Sequence, residues 1–195
     1  MKLHQAAALG LLLSLPAWAA TQESSKNGDG DIEMTELLER FAKRTGKQIV
    51  IDPRVRAQVP LAGIDVNQIS YAQLLAILDV HGFAAADMSG MLAVMPDANS
   101  RQFPAPTYTD LRFKAADSEI VTLMVQQKKT CASQLVPVLR PLMPQAAHMA
   151  AVPQTNMLII NGHAADVRRI ATLAQELDSR GTSTDPNCEA SRKSD

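Results

Sequence analysis

Aromatic residues are scarce in this 195-residue chain: one Trp, two Tyr and four Phe make up 4% of it. Its cores must therefore be built from Leu, Ile, Val, Ala and Met. Cysteine is scarcer still. Neither Cys131 nor Cys188 has a second cysteine or a histidine at ligand spacing, which argues against a metal site. Charge of one sign is also missing, because 19 basic residues face 20 acidic ones for a formal net charge of −1. That balance supplies no broad field for drawing in nucleic acid or an anionic membrane. Beyond the first twenty residues there is no long apolar run, so direct membrane insertion is not expected.

What the N-terminus does contain is an export pattern. Lys2 precedes an apolar run from Ala6 to Leu15, then Pro16 and the small-residue sequence Ala17-Trp18-Ala19. The run is shorter than the roughly 20 residues of a bilayer-spanning helix. The pattern predicts a signal peptide over residues 1–19, cleaved after Ala19, with no cysteine at the junction to carry a lipid. The expected compartment lies outside the cytoplasm and permits disulfides. Cys188 falls in a polar tail, residues 179–195, expected to be disordered. A bridge from there to Cys131 would staple a flexible segment, so free thiols are the preferred expectation.

Between those ends two periodic blocks are separated by an aperiodic one. Residues 20–30 read as a flexible lead-in. In residues 31–96, Met34, Leu37, Leu38 and Phe41 mark one helix face that Gly46 ends. Lys47–Asp52 reads as a strand, and Val59–Ile64 as an edge strand containing Pro60. Ser70 is placed to cap a helix burying Tyr71, Leu74, Leu75 and Leu78, and a hairpin turns at Ser89-Gly90. Residues 97–116, with Pro104 and Pro106, read as a linker with a short extended piece at Tyr108–Phe113. In residues 117–178, Ile120–Gln126 alternates like a strand, and Leu135, Val138, Leu139 and Leu142 mark a helix that contains Pro137. Two strands around Pro153-Gln154-Thr155 and a final helix to about Asp178 follow. The fold class is thus α+β, as two small two-layer α/β modules, the second ordered strand-helix-strand-strand-helix.

Specific stretches go beyond pattern. Leu38–Asp52, Pro53-Arg54-Val55-Arg56 and Leu75–Phe83 resemble the first periplasmic domain of type II secretion secretins, a module also related to those preceding TonB-dependent signalling receptors. Leu135–Leu142, Ala151–Ile160 and Gly162–Asp178 look like the next secretin domain, which has a KH-like fold and a usual proline at the position of Pro137. The resemblance implies a periplasmic protein-protein interaction module, an accessory or adaptor whose partners are the secretin ring or an inner-membrane secretion component. The secretin barrel is not represented in the sequence, so a pore is not expected. Two other readings stay open: a truncated secretin relic, and a TonB-type signalling module, which leaves the second block unexplained.

No catalytic residue, cofactor or metal ligand is assigned. His81, His148 and His163 fall at helix ends or turns and share no spacing with a carboxylate or cysteine that would mark a triad, so solvated or capping roles are expected. Met88, Met91 and Met95 near His81 offer thioethers of the kind that suit copper(I), but their place along a hairpin favours packing. Nucleic acid is set aside as a partner, because Pro141–His148 lacks the Gly-x-x-Gly clamp of RNA-binding KH domains. The candidate partner-binding residues are Val55, Arg56, Val59, Leu61 and Ile64, along an edge open to strand addition or side-chain contact; the alternative is an ordinary solvated edge guarded by Pro60 and Arg56. Lys128, Lys129, Arg168 and Arg169 are weaker candidates for facing a neighbouring module.

Overall fold

The computed structural model describes residues 31–102 and 104–181. The expected signal peptide, the lead-in and the tail from residue 182 onward lie outside the described residues.

The first module follows its hydrophobic pattern closely. A short strand β1 (Asp31–Glu33) leads into helix α1 (Met34–Thr45), which buries Met34, Leu37, Leu38 and Phe41. Gly46 ends the helix at φ 71°, and its N–H donates to the Ala42 carbonyl; a left-handed C-cap of this kind is cheapest for glycine. Strands β2 (Gln48–Ile51) and β3 (Gln58–Pro60) precede helix α2 (Tyr71–Val80). Ser70 and Gln73 form a reciprocal capping box at its start. Strands β4 (Phe83–Met88) and β5 (Met91–Pro96) form the hairpin, with Ser89 at φ 55° and Gly90 at φ 84°, two positive values that match a turn twisted with its strands. β2 joins parallel to β5, giving the order β2-β5-β4. One face of this sheet, carrying Phe83, Ala85, Leu92 and Val94, packs against the buried residues of α1 and α2.

One element goes beyond the sequence reading and one expectation changes. A strand ahead of α1 is hard to see in so polar a segment, yet β1 exists because only Ile32 has to face inward, opposite Val59 of β3. The extended stretch expected to reach Ile64 stops at Pro60, and the chain then turns through Gly63 at φ 73°.

Residues 97–116 are more structured than a plain linker. Asp97–Gln102 form a 3₁₀ helix, and Thr107–Tyr108 form strand β6. β6 lies parallel to strand β7 (Ile120–Gln126) and so belongs to the second sheet. The expected extended piece is therefore displaced toward the N-terminus, and Asp110-Leu111-Arg112 make a turn in which the Arg112 N–H donates to the Asp110 carboxylate.

The second module continues with helix α3 (Ala132–Leu139), strands β8 (His148–Val152) and β9 (Met157–His163), and helix α4 (Ala164–Arg180). The sheet order is β6-β7-β9-β8, and α3 and α4 cover the face that carries Val121, Leu123, Val125, Leu158 and Ile160. The predicted α3 face needs correction: Leu135 and Leu139 are buried, but Val138 is 58% and Leu142 50% exposed. Pro137 lies inside α3 and has no N–H for the carbonyl four residues back. The helix ends two residues later and tightens into a 3₁₀ turn over Arg140–Leu142, whose different rotation per residue carries Leu142 off the apolar stripe. At the other end α4 outruns its expected stop and takes in residues 179 and 180 of the predicted tail.

Two polar side chains tie the β7–α3 loop into place. Asn156, 4% exposed and in left-handed conformation, accepts the Ala132 N–H through Oδ1 and donates through Nδ2 to the Gln127 and Thr130 carbonyls. The Asp178 carboxylate accepts the N–H groups of Lys128, Lys129 and Thr130. The free thiol expected at Cys131 is overturned, because this residue is disulfide-bonded, and Cys188 is the chain's only other cysteine. The cause is tertiary: Gly181 at the end of α4 packs on Thr130, so the chain leaves the helix one residue away from Cys131.

Candidate partner-binding site

The five candidate residues divide by burial. Val55 and Val59 are each 1% exposed and belong to the first core, so neither can touch a partner directly. The alternation of the short β1–β3 pair explains Val59: Gln58 and Pro60 face out, and Val59 faces in. Arg56 is exposed, with its Nε donating to the Pro53 carbonyl at 3.3 Å. Leu61 is half-buried and Ile64 is 40% exposed.

Leu61 and Ile64 share a groove of about 250 Å³ with Val59, Pro60, Ile77 and Val80. Its lining is mainly apolar, and Val80 at its rim is 83% exposed. Sequence reasoning missed the α2 side of this groove. The signal was there in Tyr71–Val80, where aliphatic residues occupy more than one face; a helix apolar all round implies cover on both sides. β1 and β3 make a two-stranded sheet of their own, so each keeps an unpaired edge among the described residues. The groove thus runs beside strands that have free backbone donors and acceptors, the combination that strand-adding partners use.

The loop leading to this face is braced by Asp52 and Arg54. Arg54 donates Nε and Nη2 to the Asp52 carboxylate at 2.9 and 2.8 Å, and its backbone N–H donates at 2.9 Å. The Arg54 side chain, its N–H and its charge together hold the Asp52 pKa down to about 2.

The remaining polar residues fall elsewhere. Lys128 and Lys129 lie on the loop held by Asp178, while Arg168 pairs with Asp117 and Arg169 with Asp166. The methionines divide as well: Met88 and Met91 are partly exposed and paired across the hairpin, and Met95 is buried. The expectation for histidine fails at one position. His163 precedes α4 without capping it, is 6% exposed, and lies between Asp97 and Asp79 at 3.3 and 3.4 Å. Its nearer partner is 66 residues away in sequence, a separation that no local spacing rule detects. Among the described residues no group of three or more His, Cys, Asp or Glu is arranged to hold a metal ion. No helix among them is long and apolar enough to cross a membrane.

Residues 30–94 match the family model of the GspD-like N0 domain, and residues 122–183 match the bacterial type II/III secretion system short domain. The chain belongs with the N-terminal domains of the type II secretins. Secretin XcpQ of Pseudomonas aeruginosa is 29% identical over 155 residues, which are 78% of this chain and 22% of that protein. Secretin PulD of Klebsiella pneumoniae is 31% identical over 168 residues, 84% of this chain and 25% of the relative. The chain therefore spans about a quarter of the length of the curated secretins it matches. Among solved structures it is similar to the Klebsiella pneumoniae type II secretion system outer membrane complex of PulD, PulS and the PulC HR domain. There the TM-score is 0.65 and the identity 26%, over 76% of this chain and 26% of that one. The α+β architecture stands on this match.

Proposed function

We propose that this chain works in the periplasm as a docking module of a type II secretion apparatus, and that its first domain holds the periplasmic region of an inner-membrane secretion component. The observation that carries this reading is the apolar groove of Leu61, Ile64, Ile77 and Val80 beside the open β1–β3 pair. A segment laid along that pair gains backbone hydrogen bonds from the strand edge and buries its own apolar side chains in the groove. The PulD relative's structure, which also contains the PulC HR domain, supports the choice of partner. Of the original five residues, Arg56, Leu61 and Ile64 would touch the partner, and Val55 and Val59 would support them from below. The role is binding, with no catalytic step assigned to any residue.

Calorimetric titration of the chain with the purified periplasmic domain of its cognate inner-membrane component tests this. Ile64→Glu and Val80→Glu should each weaken binding at least tenfold, about 1.4 kcal/mol. Lys129→Glu, on the second domain, should leave affinity unchanged. If both groove variants bind like the wild type while staying folded, the proposal is wrong.

A further inference from the structure

The two domains meet at a loosely filled joint. Ala116 leans on the first core, and a cavity of about 290 Å³ lies between Tyr71, Ala85 and Asp87 on one side and Pro104, Glu119 and Ile120 on the other. Next to it sits the His163 cluster. Asp79 comes from the last turn of α2 and Asp97 from the 3₁₀ helix, while His163 and Ser118 belong to the second domain. Asp79 also accepts the Ser118 hydroxyl at 3.0 Å, and Asp97 accepts the Ser100 hydroxyl at 3.1 Å. Each carboxylate is thereby kept in place against the ring.

The ring's hydrogen bonding decides how this joint behaves. His163 Nδ1 lies 3.0 Å from the Ser118 carbonyl oxygen. A carbonyl only accepts, so Nδ1 must carry a proton for that bond. Nε2, which faces both carboxylates, then carries a hydrogen only in the imidazolium. In the neutral ring with Nδ1–H, a lone pair would point at two negative groups; moving the proton to Nε2 would instead orphan the Ser118 carbonyl. Neither neutral form satisfies the joint. We propose that His163 is an acid-closed latch, whose protonated ring bridges Asp79 and Asp97 and fixes the two domains relative to each other.

Burial alone would lower the His163 pKa. Opposing it are the hydrogen bond to Asp97, the charge of Asp79, the Ser118 carbonyl and the charge of Asp97, and together they hold it above the ordinary 6.5. Burial likewise pushes Asp97 up, but its bond to His163, the charge of that ring and the Ser100 hydroxyl outweigh it, and the carboxyl stays below its ordinary value. The other charged groups near this end of the joint are engaged elsewhere: Asp117 with Arg168, Asp166 with Arg169, Glu119 with the Ala116 N–H, and His81 Nδ1 with the Ile77 carbonyl. A histidine whose folded pKa is raised contributes its full stabilisation below pH 6.5 and loses it as pH climbs through the folded value. The latch is therefore closed in acid and opens on the alkaline side.

Backbone ¹⁵N relaxation on the whole exported chain reads the joint directly, because two fixed domains tumble with one correlation time and two freed domains with two shorter ones. The latch requires a single time at pH 5.5 and separate, shorter times at pH 8.5. The His163 ring should titrate above pH 6.5, and Asp79→Asn with Asp97→Asn should lower that midpoint. Asp79 lies in the first domain and Asp97 in the connecting 3₁₀ helix, so this double variant keeps the test valid if His163→Gln disturbs the second domain's fold. In either variant the difference in tumbling between the two pH values should disappear. Identical tumbling across the range, a wild-type midpoint below 6.5, or an unchanged midpoint in the double variant would overturn the proposal.

Discussion

Replacing Asn156 by alanine tests the hydrogen-bonded staple at the base of the second domain. The side chain makes three bonds of 2.8, 2.9 and 3.1 Å to backbone groups of the β7–α3 loop. Alanine would leave the Ala132 N–H, at a fully buried residue, without its acceptor; such an orphan costs about 1–3 kcal/mol. The Thr130 carbonyl loses its bond as well, worth about 1 kcal/mol. The Gln127 carbonyl is partly compensated, because Gln126 Nε2 also donates to it at 3.1 Å. The φ of 49° adds about 1–2 kcal/mol for a residue whose side chain cannot bond locally. The expected loss is about 3–6 kcal/mol, a large part of a small domain's stability. At a typical urea dependence it lowers the unfolding midpoint of the second domain by about 2 M. Circular dichroism in urea measures this, with Asn156→Gly as the comparison that removes the bonds but not the conformational ease. Glycine should recover about 1–2 kcal/mol relative to alanine. A cost below about 1 kcal/mol for Asn156→Ala, or equal costs for the two variants, would refute this account of the staple.

Two further perturbations probe other parts of the chain. Gly162→Ala should destabilise the second domain by about 1–3 kcal/mol, because a Cβ there would sit 2.9 Å from the Ala147 Cβ; thermal unfolding reads the effect, and a neutral result would mean that the β8 lead-in yields easily. The Asp52 carboxyl should titrate at about 2 by carbon-detected NMR and return toward 3.8 in Arg54→Gln. Because its folded pKa is depressed, any stability it brings is present above pH 3.8 and fades as the pH falls through about 2. An Arg54→Gln protein with the midpoint still at about 2 would remove Arg54 as the cause.

The first domain was the more legible of the two because its signals are local. Met34, Leu37, Leu38, Phe41 and Gly46 define a helix and its end within one stretch of chain, and Ser70 with Gln73 starts the next. The candidate edge was less legible. Alternation suggested a strand around Val59, but which of Val55, Val59 and Leu61 would face outward depended on pairing with β1, a segment with one apolar residue. The second domain misled at Val138 and Leu142, since a regular helical period was extended through Pro137 into a turn of different pitch. Asn156 lies in a stretch that carried the family resemblance, yet nothing local indicated that its side chain would serve three backbone groups on another loop.

The sequence by itself determined the α+β class and the placement of the helices, because periodicity and capping act over a few residues. Tertiary structure alone decided that Val80 joins Ile64 in one groove, that Cys131 is bridged, and that His163 stands between Asp79 and Asp97. Those facts depend on the distance between residues apart in the chain, and only tertiary packing, within each domain and between them, sets that distance.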